Sequence, residues 1–282
     1  LTTPNKLTLN EWLDYWLKNI SSISHRTTTQ YGYRLIIENH IRPALGHKQL
    51  QKISAKDIQE YYRDLMAVKG LSPNSVIKHH DLMRSVFLAA LQFDYLARNP
   101  LDKVIKPKKV KFIPTILSAD QLIKVLEEVN GEAFEVIVAL AAYLGLRRGE
   151  ILGLTWSEVN MLERSLKITE TRSTAGNQKT IGAPKSEQSI RLLPIEEGLY
   201  NVLLRWRRAQ KRNMKLLGDL YHVSDYVATR EDGSLWSPNY VSTKFGEISE
   251  KLGIRSNRLH DLRHTFASLA NESGSTAYDI SR

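Results

Sequence analysis

Three short stretches of this 282-residue chain carry residue types that could act together on a charged substrate. In His260-Asp-Leu-Arg-His264 a histidine and an arginine stand three apart, so on a helix His260 and Arg263 share a face. That pair suits a phosphate, because the guanidinium fork takes two oxygens while the imidazole moves a proton. His260 and His264, four apart, offer a metal grip instead. The motif lacks the Glu that a zincin helix places directly after its first His, no third ligand is evident, and neither a metal nor a cofactor is expected. His264 in particular also suits a satisfied core position. In Tyr143-Leu-Gly-Leu-Arg-Arg-Gly-Glu150, Gly145 permits a chain reversal that would throw Arg147 into a cleft, with Glu150 bracing its guanidinium. Taken alone, a surface arginine beside a helix end accounts for that stretch better. In Pro184-Lys-Ser-Glu-Gln-Ser-Ile-Arg191, Lys185 stands at the mouth of a hairpin whose loop includes Lys179. Such a lysine is ordinarily a solvated loop residue, but desolvated over a cleft it would serve as a proton donor.

Residues 1–102 read as helices only. Thr8 and Glu11 have capping-box spacing and lead into Leu13, Trp16, Leu17 and Ile20 at helical intervals. A second helix is predicted over Thr28–Ile41, stopping before Pro43, with Tyr31, Leu35 and Ile36 inward. Ser54 and Asp57 open a third that Gly70 ends, and Ser72-Pro73 opens a fourth with a stripe from Val76 to Leu91. Residues 118–282 are mixed. Phe134–Leu144 reads as a helix buried all round, and Leu166–Arg172, Gln188–Pro194 and Tyr226–Thr229 read as strands. Helices are predicted over Leu199–Leu217, from Ser237-Pro238 to Leu252, and from about Leu259. The expected fold is therefore an α-helical domain plus a mixed α+β domain, mainly helical with a small antiparallel sheet.

Forty Lys+Arg against 30 Asp+Glu leave a formal charge of +10. Residues 1–102 net +4 and residues 118–282 net +1, while residues 103–117 alone hold Lys103, Lys106, Lys108, Lys109 and Lys111 with no acid. Prolines at 100, 107 and 114 favour an extended path there. An extended lysine-rich connector can follow a phosphate backbone and release its counterions, although a solvated linker has the same composition. The chain has no cysteine, which excludes disulfides, a thiol nucleophile and thiolate metal sites. No apolar run approaches membrane-spanning length, and Leu1 begins nothing that reads as a signal peptide. The composition suggests a piece excised from a soluble protein of a reducing compartment.

The order of these motifs is more specific than any one of them. Gly-Leu-Arg-Arg-Gly-Glu-Ile-Leu-Gly-Leu-Thr-Trp at 145–156 resembles the first arginine motif of the tyrosine recombinases, the integrases of phages and conjugative transposons. Pro-Lys-Ser at 184–186, with Arg191 and Pro194, resembles their hairpin-lysine motif, and Leu-His-Asp-Leu-Arg-His-Thr-Phe-Ala at 259–267 their second arginine motif. Residues 8–112 look like the helical core-site-binding domain and basic linker of the same family.

The resemblance implies residues 1–102 as a core-site DNA-binding domain, 103–117 as a basic extended linker and 118–282 as a catalytic domain. It implies double-stranded DNA as partner, a dimer or tetramer on that DNA, no membrane, and a bacterial, nucleoid-associated cytoplasmic setting. Arg147 and Arg263 would hold the scissile phosphate, Lys185 would protonate the leaving 5′ oxygen, His260 would assist proton transfer, and Glu150 would support Arg147. A family tyrosine would attack phosphorus to leave a 3′-phosphotyrosine. The family places a second His or Trp and that tyrosine later than the 19 residues that follow Arg263 here, and Tyr278 reads as structural. The expectation is accordingly a fragment cut before its nucleophile, able to bind DNA but not to cleave it alone. The alternative is a non-catalytic DNA-binding regulator on the same fold.

Overall fold

A computed structural model describes residues 6–175, 178–182, 190–254 and 258–272, with backbone only for 173–175, 178–182 and 272. It divides into two compact units, one ending at Phe112 and one beginning at Ile113.

The first unit is helical. Helix α1 (Leu9–Trp16) starts where Thr8 and Glu11 cap each other, Glu11 N–H donating to Thr8 Oγ1 and Thr8 N–H to the Glu11 carboxylate. It buries Leu9, Trp12, Leu13 and Trp16, and the Trp12 indole N–H donates to Val86 O at 3.0 Å. Helix α2 (Thr27–Ile36) departs from the predicted pattern. It runs on through a π-helical turn at Ile37–Ile41 and a short helical piece, Arg42–Leu45, so Pro43 does not stop it. The wider π turn shifts the phase of every later side chain. Ile37 and Ile41 of the π turn face the core, while in the α turns before it Tyr31 and Leu35 are exposed and Ile36 is half-buried. Helices α3 (Ala55–Ala67) and α4 (Pro73–Gln92) begin at the Ser54 and Ser72 caps and pack together. Between them Tyr61 and Tyr62 pair their hydroxyls with His79 Nδ1 and His80 Nδ1 at 2.7 and 3.0 Å.

Residues 105–118 carry neither helix nor strand, as the prolines require. Their first half is anchored to the helical unit. Ile105 N–H donates to Gln59 Oε1 at 3.0 Å, and Val110 exchanges two backbone bonds with the Asn74 amide at 2.8 and 3.0 Å.

The second unit is built around α6 (Glu135–Leu144), whose residues are buried except for the half-buried Tyr143. Around it stand α5 (Ala119–Glu128), α7 (Arg148–Gly153), α8 (Glu197–Leu217), α9 (Pro238–Lys251) and α10 (Leu259–Glu272). The predicted strand over Leu166–Arg172 is broken in two. Strands β1 (Val159–Asn160), β2 (Ser165–Ile168) and β5 (Arg191–Pro194) form one antiparallel sheet, with Ile168 opposite Arg191. Strands β3 (Thr171–Ala175) and β4 (Gln178–Gly182) form a separate hairpin, which places Lys179 on β4 opposite Thr174 and not in a loop. The predicted strand at Tyr226–Thr229 makes only isolated bridges, to Thr155 and Leu235. Helix α7 lies directly on β3: a Cβ at Gly153 would come within 3.0 Å of Glu170 O. Beneath it the buried Arg172 donates to Trp236 O at 2.7 Å and to Leu152 O at 3.4 Å.

Candidate phosphate-binding site

Two helix ends and one strand bring arginines together in the second unit. Helix α6 ends at Gly145 with φ +58°, a left-handed conformation that costs other residues about 1–2 kcal/mol. The close approach there needs glycine as well, since a Cβ would lie 2.6 Å from Phe266 Cδ1 of α10. That reversal sets Arg147 at the N-cap of α7 in extended backbone, with 53% of its side chain exposed.

Glu150, one turn later, is 1% exposed. A lone carboxylate buried this deeply costs several kcal/mol in lost hydration. Four donors offset that cost. Oε2 accepts from Arg147 N–H at 2.9 Å and Arg191 Nη2 at 3.0 Å, and Oε1 from Arg147 Nη1 at 2.8 Å and Arg191 Nη1 at 3.4 Å. Burial raises the Glu150 pKa, but the bonds from Arg191 and Arg147 outweigh it and hold the carboxyl below its usual range.

Arg263 reaches the same place from α10, its Nη1 donating to Gly145 O at 2.5 Å. Burial first, then the neighbouring charge of Arg147 and that of Arg191, pull its pKa down, while Glu150 pulls the other way. Two guanidiniums thus share one carboxylate with the third, Arg263, close enough to feel its charge, an excess of two positive charges held partly out of water. Such a site gains from an entering dianion, because the cations are already desolvated and oriented.

His260 stands one turn before Arg263 with its outer edge exposed. The protein packed around it, then the charges of His264 and Arg263, lower its pKa, which favours a neutral imidazole able to accept a proton. The His264 ring meets it edge to face at 5.2 Å. Among the described residues no group of three or more metal-ligating side chains occurs. Asp261, fully buried, caps the start of α10 by accepting from Arg258 N–H at 3.0 Å. Thr265 Oγ1 donates to Asp261 O at 3.1 Å and accepts Leu117 N–H at 3.0 Å.

The structure therefore brings Arg147, Glu150, Arg263 and His260 to one place. Lys185 and Tyr278 lie outside the described residues. The lysines 103, 106, 108, 109 and 111 belong to other ground: all are exposed, and Lys106 is paired with Asp81 at 2.6 Å. The remaining four make no ion pair among the described residues. Sequence reading names Arg191 only within the hairpin-lysine motif and gives it no role in the site. The signal available was a charged residue in an otherwise apolar strand, Arg191-Leu-Leu-Pro194, which in a half-buried sheet demands an acidic partner.

A mainly helical fold with a small sheet carries clustered arginines beside a histidine, an arrangement whose chemistry suits a phosphate. Residues 8–66 match the phage integrase N-terminal SAM-like domain, and residues 116–281 match the phage integrase family. The chain belongs to the phage integrase family, the tyrosine recombinases. Among similar proteins, a tyrosine recombinase XerC-like protein of Caldanaerobacter subterraneus is 27% identical, covering 95% of this chain and 73% of the relative. The ICEBs1 integrase of Bacillus subtilis is 26% identical, covering 86% and 66%. Among solved structures, the Tn1549 transposon integrase in complex with a circular intermediate DNA superposes with TM-score 0.78 at 18% identity, covering 97% of this chain and 90% of that one. A lambda integrase dimer bound to a COC′ core site gives 0.71 at 18%, covering 97% and 90%. A lambda integrase tetramer bound to a Holliday junction gives 0.71 at 18%, covering 98% and 74%. Among the described residues no helix is long and apolar enough to cross a membrane.

Proposed function

We propose that this chain is the DNA-binding and phosphate-activating body of a mobile-element integrase, acting on duplex DNA at recombination core sites in the bacterial cytoplasm, at the nucleoid. The observation that carries this reading is the cluster of Arg147 and Arg191 on the buried Glu150 with Arg263 beside them, and a neutral-leaning His260 one turn from Arg263. Arg147 and Arg263 hold the non-bridging oxygens of the scissile phosphate and offset the charge that grows as phosphorus becomes five-coordinate. His260 takes or returns a proton at the attacking hydroxyl, and Lys185 gives one to the departing 5′ oxygen. The bond energy is kept in a 3′-phosphotyrosine ester, so the broken strand can rejoin a new partner without a nucleotide cofactor. Two or four copies act together on the paired sites. The exposed lysines 103, 108, 109 and 111 neutralise backbone phosphates outside the catalytic unit.

Fluorescence anisotropy with a duplex across a salt series tests this. Replacing both Arg147 and Arg263 by Gln should weaken binding and reduce the slope of log K against log salt by roughly 0.9, the share of the one phosphate that both hold. The same change at Arg164, which is paired with Glu197, should leave the slope alone. An unchanged slope in the double variant sinks the proposal. In cleavage-competent protein, Lys185→Ala should depress cleavage and a 5′-thio leaving group should restore it. If Lys179→Ala behaves that way instead, the acid is misassigned.

A further inference from the structure

We propose that Arg191 is a positioning residue for the phosphate-holding Arg147, acting through Glu150; the proposal rests on the phosphate reading of the site. The geometry is specific. Glu150 presents two oxygens, and Arg191 lays one guanidinium edge across both, Nη2 to Oε2 at 3.0 Å and Nη1 to Oε1 at 3.4 Å. Arg147 touches the carboxylate with its backbone N–H and with one guanidinium nitrogen. A guanidinium has five N–H donors, and Arg147 uses one of them on Glu150. The others remain available on a side chain that is 53% exposed, whereas Arg191 is 13% exposed and turned inward. The two arginines therefore divide the work. Arg191 satisfies the buried carboxylate, and Arg147 is fixed by it without being spent on it.

Without Arg191, Glu150 would hold its full negative charge against Arg147 alone. The guanidinium of Arg147 would turn onto the carboxylate as a closed, neutral pair, and the excess beside Arg263 would fall by one charge. The ion pair also crosses the fold, joining β5 to the N-terminus of α7 over 41 residues of sequence. It fixes the strand that returns from the Lys185 segment relative to the arginine that faces the phosphate.

The test uses the whole chain labelled with ¹⁵N-arginine and orthovanadate as a tetrahedral oxyanion probe; the absence of cysteine removes the usual redox interference. The Arg147 Nε–H signal is assigned by its disappearance in Arg147→Lys. In the wild type it should shift on titration with vanadate. In Arg191→Gln the free-protein signal should move, and about tenfold more vanadate should be needed, the loss expected when one charge-assisted hydrogen bond is withdrawn. Arg191→Lys, which restores the charge without the fork, should come back to within about threefold of wild type. An Arg191→Gln protein with an unmoved Arg147 signal and wild-type titration overturns the proposal. If that variant fails to fold, Arg191→Met, which keeps the apolar stem and removes the charge, takes its place: an Arg147 signal at the wild-type position overturns the proposal, and a displaced one supports it. A wild-type Arg147 signal that ignores vanadate refutes the phosphate reading instead, while the comparison of free-protein spectra still decides the positioning claim.

Discussion

The turn at Gly145 makes the sharpest demand on sequence, and Gly145→Ala tests it. Two separate costs apply. The backbone sits at φ +58°, where an L-residue with a Cβ is disfavoured by about 1–2 kcal/mol. The new methyl would lie 2.6 Å from Phe266 Cδ1 and 3.2 Å from Cγ, so the ring must leave its place in the packing of α10 on α6, at roughly 1–3 kcal/mol. Together the loss is about 2–5 kcal/mol, and at about 2–4 °C per kcal/mol for a unit of this size the melting temperature falls by roughly 4–20 °C. Calorimetry reads that fall, and a double-mutant cycle separates its parts. In a Phe266→Ala background the ring conflict is gone, so Gly145→Ala should cost only the backbone share, about 1–2 kcal/mol. A functional effect accompanies the change, because Gly145 O accepts the Arg263 guanidinium at 2.5 Å. Duplex affinity measured well below the melting range should drop too. A Gly145→Ala protein that melts within about 1 °C of wild type, by the scale above, refutes the reasoning. So does a cost left at full size after Phe266 is truncated.

Thr265→Val keeps the shape of a fully buried side chain but leaves Leu117 N–H without its acceptor, at about 1–3 kcal/mol. Urea unfolding should show that loss and Thr265→Ser should recover it; a neutral valine would mean that the start of this unit is not held by that bond. The first unit should be acid-sensitive through His79. Burial first, then the charges of His40 and Lys69, bring its pKa down to about 4 from 6.5, so the folded state favours the neutral ring. The stability this represents is complete above pH 6.5 and is lost as pH falls towards 4, where the unfolded chain binds the proton and the folded one resists it. Chemical unfolding between those limits should show a shallower decline in His79→Gln than in wild type. His40 and His80, also lowered chiefly by burial, would account for the slope that remains.

How far these features can be read from sequence depends on the distance over which their causes act. The caps at Thr8, Ser54 and Ser72 each involve groups within three residues, and the spacing alone locates these three helix starts. Helix α6 was equally legible, because a segment apolar on every face has nowhere to go but the interior. The face of α2 is not legible in the same way. Its turns before the π segment bury no residue, and the core takes Ile37 and Ile41 from the π turn itself, which a 3.6-residue period does not count. The alternation over residues 166–172 was real, but whether one strand or two results is decided by which partners arrive. Here β5 claims the first part and β4 the second.

The site divides along the same line. Arg147, His260 and Arg263 declare themselves through spacing beside a glycine and along a helix. Arg191 is joined to Glu150 by an ion pair whose partners stand 41 residues apart, and no local pattern links them. What does link them is a physical constraint that could be posed in advance. Glu150 is followed by Ile151 and Leu152, both fully buried, on a helix of six residues pressed against β3. A short helix sunk that far takes its carboxylate with it, and one arginine that must also face a ligand cannot neutralise the carboxylate and remain free. The burial of Glu150 thus requires a second cation before its identity is known, and the half-buried strand arginine is the residue that meets the requirement.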